Sequence, residues 1–151
     1  MTTRRSGFLQ QQRERRKLRE PTRCPACGAI YRDGRWTWAE YKGPACEVQC
    51  PACWRLQARR AAGYVRLSGD YFERHRAEIL RRVRRCEQAE RADHPLERIM
   101  AIAAGPDGEL VTTTGVALAR RIAHGLKSAF KGEVRSRYSK DDKVLRVYWS
   151  R

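Results

Sequence analysis

Lysine is scarce here: only six of the 33 basic residues are Lys, at 17, 42, 127, 131, 140 and 143, although the net charge is +16. The remainder are Arg, whose planar fork suits phosphate and base stacking better than a point charge does. Long apolar runs are missing too. Nothing in the 151 residues approaches a membrane span, and the opening MTTRRSGFLQQQ lacks the apolar centre of a secretory leader. These absences predict a cytoplasmic protein with no membrane partner. The 17 acidic residues are scattered among arginines, which argues against the clustered carboxylates of a hard-metal nuclease. Histidine is rare and dispersed, at 75, 94 and 124, so no histidine ligand set is expected. There is no internal repeat, and the length suits one mid-sized domain or two very small ones.

Cysteine, by contrast, is patterned. Two Cys-Pro-Ala-Cys units, Cys24/Cys27 and Cys50/Cys53, have 22 residues between them. In a reducing cytosol such pairs fit metal thiolates better than disulfides, and two facing knuckles give tetrahedral zinc. A thioredoxin-like dithiol would want one such motif beside a βαβ pattern. The expectation is one structural Zn²⁺ held by Cys24, Cys27, Cys50 and Cys53. Cys46, four residues before Cys50, is the rival ligand, whereas Cys86 falls on the apolar stripe of a helix and reads as a buried thiol. Between the pairs, Asp33-Gly34 marks a tight hairpin turn. With too few residues to bury a core, the ribbon would draw its folding energy from the metal, with Trp36, Trp38 and Trp54 packed around it.

Four segments follow. Residues 1–23 form a basic flexible arm carrying Arg4, Arg5, Arg13, Arg15, Arg16 and Lys17, either a solvated tail or a strand laid along a phosphate backbone. Residues 24–55 are the zinc ribbon. Residues 56–95 are a connector and an Arg-rich amphipathic helix ending near His94-Pro95, with Phe72, Ile79, Val83 and Cys86 as its apolar stripe and Asp70 with Glu73 as its capping pair. Residues 96–151 read as ββαββ: a hairpin about Gly105-Pro106-Asp107-Gly108, a helix capped by Thr113 or Thr114, and two strands of period two. The fold class is therefore α+β.

Candidate RNA contacts accompany each part. The hairpin tip offers Arg32 and Arg35, and the long helix Arg74, Arg81 and Arg85, which could equally pair with Glu73, Glu78 and Glu87. The last helix carries Arg120, Lys127 and Lys131 on one stripe, a pattern that a merely solvated face also produces. If that helix covers the Val134 and Leu145 side, the open side of the sheet carries Arg135, Arg137, Arg146 and Tyr148.

The stretches CPACG, CPAC, HPLERIM, ELVTTT, LARRIA and RVYWSR resemble a group of short proteobacterial proteins. The plan of Cys24, Cys27, Cys50 and Cys53 ahead of VTTTGVALARRIAHGLKSAFKGEV and LRVYW resembles the archaeal and eukaryotic large-ribosomal-subunit export adaptor family. That resemblance implies a zinc ribbon followed by an α+β unit on the subunit-joining face. Family members carry more Cys-x-x-Cys units and, in eukaryotes, transport signals, so the implied role is large-subunit rRNA binding without export. The expectation is a noncatalytic ribosome-binding factor with no small-molecule substrate, hindering tRNA or small-subunit access in hibernation, assembly or quality control. A zinc-ribbon DNA-binding regulator is the alternative.

Overall fold

The structure, a computed structural model, describes residues 18–151. Arg4, Arg5, Arg13, Arg15, Arg16 and Lys17 therefore lie outside the described residues. The ribbon begins before Cys24. Strand β1 (Thr22–Arg23) pairs antiparallel with β2 (Ile30–Arg32) and parallel with β4 (Cys46–Glu47), and β3 (Arg35–Thr37) completes a four-stranded mixed sheet in the order β3-β2-β1-β4. The last two residues assigned to the arm thus belong to the ribbon. Asp33 and Gly34 both adopt positive φ, 53° and 78°, as a two-residue type I′ hairpin demands. The second Cys-Pro-Ala-Cys is more than a turn. It opens helix α1 (Pro51–Ala58), in which Pro51 takes the first position and Cys50 caps the end.

The connector expected between the ribbon and the Arg-rich helix contains a strand. Strand β5 (Gly63–Ser68) lies at the centre of a five-stranded sheet, antiparallel to β7 (Gly108–Thr113) and parallel to β9 (Val144–Ser150). β6 (Ile99–Gly105) and β8 (Glu133–Ser139) form the edges, giving the order β6-β7-β5-β9-β8. The expected ββαββ unit therefore recruits a fifth, earlier strand.

The Arg-rich helix is broken at His75 into a short α2 (Asp70–Arg74) and a long α3 (Arg76–Asp93). Asp70 does not cap it. The carbonyl of Arg151 receives the N–H groups of Tyr71 and Phe72, at 2.8 and 3.2 Å, a closure that needs glycine at 69, where any Cβ would strike that carbonyl. Helix α4 (Val116–Phe130) likewise lacks the expected threonine cap: Thr113 Oγ1 donates to the Gly115 carbonyl, and Glu97 Oε2 accepts from the Leu118 N–H at 2.9 Å. Burial pushes the Glu97 carboxyl above its usual range, against the effect of that N–H.

All the helices of this part cover one face of the large sheet. Phe72, Ile79 and Val83 from α2 and α3 meet Leu118, Ile122 and Leu126 from α4 over Val65, Leu67, Val111, Val147 and Trp149. Cys86 packs at the margin of this core as a free thiol, pushed up by burial. The other face of the sheet has no helix over it. Among the described residues, no helix is long and apolar enough to cross a membrane.

Candidate metal centre and basic surfaces

The ribbon's own core is small: Cys24, Ala29, Trp36, Cys50, Ala52 and Cys53, with Leu18, Cys27, Tyr31 and Leu96 partly buried against it. Half of those six buried residues are cysteines, and even with the fully buried Ile30 on β2 this is too little apolar surface to fold such a segment alone. The sulfurs of Cys24, Cys27, Cys50 and Cys53 lie within 4.8 Å of one another, and the Cys27 and Cys50 sulfurs are 3.8 Å apart. Four sulfurs about 2.3 Å from a tetrahedral centre are separated by about 3.8 Å, whereas a disulfide brings two to about 2.0 Å. The cluster can therefore hold a metal ion such as zinc. Cys46 is exposed and stands outside the cluster.

The thiols are also unequally prepared. Burial pulls Cys24 upward, yet the N–H groups of Cys50, Cys27 and Ala26 overcome it and bring the thiol down to about 7. Burial dominates at Cys50 and Cys53 and raises both. Three of these sulfurs are buried and that of Cys27 is half-buried, so as thiolates they need a cation, and the sequence reading missed it. Arg98, only 4% exposed, donates from Nη1 to Cys53 Sγ at 3.3 Å and from Nη2 to Cys27 Sγ at 3.2 Å and Cys50 Sγ at 3.7 Å. Burial opposes its charge, but the sulfurs of Cys53 and Cys27 outweigh that cost and hold the guanidinium above its ordinary value. Its Nε donates to the Pro95 carbonyl at 2.7 Å, and its backbone N–H donates to Thr114 Oγ1 at 2.9 Å. Arg98 immediately precedes β6, so it pins the ribbon to the large sheet. Trp38 adds a second tie: its ring lies 5.7 Å from the Arg98 guanidinium, and its indole N–H donates to the Arg91 carbonyl at 2.7 Å.

The proposed RNA contacts fall on separate surfaces. Arg135 is in register with Tyr148, and Arg137 with Arg146, so all four share the sheet face that has no helix over it. Arg120, Lys127 and Lys131 lie exposed on the outer side of the helical layer, across the unit from that face, and Arg120 lies 5.9 Å from the Tyr138 ring centroid. Arg81 and Arg85 are exposed on α3, while Arg74 sits before the break on α2 and donates to the Asp70 carbonyl. Neither Glu73 nor Glu87 pairs with these three, since they bind Arg76 and Arg91. Arg32 and Arg35 are exposed at the hairpin tip, with Arg32 over Tyr41. An open cleft of about 1420 Å³ separates ribbon and sheet, but its walls mix Arg35 and Lys143 with Glu47, Glu90 and Asp93, whereas on the open face Glu133, at the end of β8, is the one carboxylate in register beside four arginines.

Sequence reasoning also missed two members of that face. Tyr64 and Arg66, on the central strand, are in register with Arg146 and Tyr148. Their signal was the alternation of Gly63-Tyr64-Val65-Arg66-Leu67-Ser68, hidden inside an assumed connector. No protein-family model matches the chain, and no curated protein matches it significantly.

Proposed function

We propose that this chain is a noncatalytic, cytoplasmic zinc-ribbon protein that binds rRNA of the large ribosomal subunit near its joining face and there hinders tRNA or small-subunit access. The observation that carries the reading is the open sheet face, where Arg66, Arg135, Arg137 and Arg146 gather around Tyr64 and Tyr148. Among the described residues no ion pair joins those arginines to a carboxylate. Zinc is the metal that a closed four-thiolate set favours, and four thiolates leave no position for a reacting water. Its part is to fix the ribbon, and through Arg98 to set the ribbon's basic tip rigidly against the sheet. Assignment to the large subunit draws on the resemblance of the ribbon-then-α+β plan, and the use made of it there is hibernation, assembly or quality control.

Competition binding with purified large subunits and duplex DNA tests this. Subunits should displace a bound RNA probe at concentrations where DNA does not. Changing Arg135, Arg137 and Arg146 together to Gln should weaken binding and reduce the dependence of log K on log salt by about 2 to 3. Equal displacement by duplex DNA, with a preferred site, would establish a DNA-binding regulator instead.

A further inference from the structure

The open face is ordered in rows. Across β7, β5, β9 and β8 one row reads Leu110, Arg66, Tyr148, Arg135, and the next reads Thr112, Tyr64, Arg146, Arg137. Each row therefore holds one tyrosine and two arginines, and the rows lie two residues apart, about 6.6 Å along the strands. Tyr148 is 48% exposed, and Arg146 lies 5.2 Å from the Tyr64 ring centroid, so that ring already attracts a flat cation.

We infer that this face is a platform for unpaired RNA, each row taking one nucleotide: the base stacks on Tyr64 or Tyr148, and the neighbouring guanidinium groups hold its phosphate. This rests on the RNA-binding reading above and adds the conformation of the RNA. Duplex RNA keeps its bases stacked on one another, so it offers no ring to a tyrosine lying in a sheet, whereas loops and single strands splay theirs. Aromatic side chains on neighbouring strands of an open sheet are an established means of stacking two or three bases. The row spacing is within reach of one step of an extended strand. Three of the four arginines, Arg135, Arg137 and Arg146, lie on β8 and β9, where Glu133 occupies only the end of the face, and the apolar Ala101, Ala103 and Leu110 lie on the far side.

The test is fluorescence anisotropy of the zinc-loaded full chain with a labelled eight-nucleotide oligouridine, competed by a duplex RNA of equal length. The single strand should bind tighter. Tyr148→Leu and Tyr64→Leu should each weaken it about ten-fold while leaving the salt slope unchanged, and Tyr148→Phe should keep the affinity. Arg66→Gln should lower the slope by about 0.7. Tyr138→Leu, on the other face, should change nothing. Should Tyr64→Leu disturb folding, the Tyr148 pair carries the test alone. Duplex competing as well as single strand, or full affinity in Tyr148→Leu, overturns the platform. Large-subunit association surviving that result leaves the proposed function standing, while tyrosine-dependent oligouridine binding without ribosome association keeps the platform and removes the ribosome.

Discussion

Changing Cys50 to Ser is expected to abolish metal binding and to melt residues 22–58, while the five-stranded sheet stays folded. Cys50 is fully buried, caps α1 through the Cys53 N–H at 3.4 Å and stands within 4.8 Å of the other three sulfurs. A serine cannot supply the thiolate, and a ribbon whose buried hydrophobic residues beyond its cysteines are Ala29, Ile30, Trp36 and Ala52 has little else to hold it. Structural zinc binding is worth about 10–16 kcal/mol in small fingers, so its loss exceeds what a single core truncation costs. Metal analysis should give about one ion per chain in the parent and none in the variant. Hydrogen exchange should localise the melting to the ribbon. Cys46→Ser and Cys86→Ser should both retain the ion, and metal lost from Cys46→Ser but kept in Cys50→Ser would show the ligand set to be wrong.

Arg98→Met is expected to be the next most damaging change. A tetrathiolate zinc centre carries about two negative charges, and Arg98 is the side-chain cation that reaches its sulfurs among the described residues. Removing one partner from a buried charge pair costs about 3–5 kcal/mol. Metal affinity should fall about 10- to 100-fold, the usual effect of losing a group that orients the ligands. Arg98→Lys should restore little, because one ammonium cannot span three sulfurs as the guanidinium fork does. Titration against a chromophoric chelator measures the affinity, and thermal melting of the zinc-loaded protein measures the stability. Arg91→Met is the control: its guanidinium lies 6.0 Å from the Trp38 ring and pairs with Glu87 but bonds none of the four sulfurs, and the backbone carbonyl that the Trp38 indole uses remains. An affinity within two-fold of the parent in Arg98→Met would remove this residue from the account of the site.

The physical range of each interaction decided what the sequence disclosed. The clustering of the four cysteines was legible because their two-residue spacing is itself the geometry of a metal knuckle. The apolar stripe of α3 and the hairpin at Asp33-Gly34 were legible for the same reason: each is a local periodicity or a local backbone demand. Arg98 was not, because it is one arginine among many and lies 45 residues beyond Cys53. Helix caps failed in both places for a related cause: the donors at α2 are met by Arg151 and one at α4 by Glu97, both contributed from outside the local sequence. β5 carries a local alternation over residues 63–68, but its central place in the sheet was concealed because its partners, β7 and β9, are remote in sequence. Once it takes the central position, the open face acquires Tyr64 and Arg66, and a cluster of basic residues becomes two ordered rows. The break at His75 left no sequence signal that we can identify.

Sedimentation of the tagged protein through sucrose gradients, from growing and starved cells at low and moderate salt, tests the central claim most directly. The account predicts migration with the large subunit or the whole ribosome that persists at moderate salt and is lost when Arg135, Arg137 and Arg146 are changed to Gln. Protein remaining at the top of the gradient in both states would contradict it.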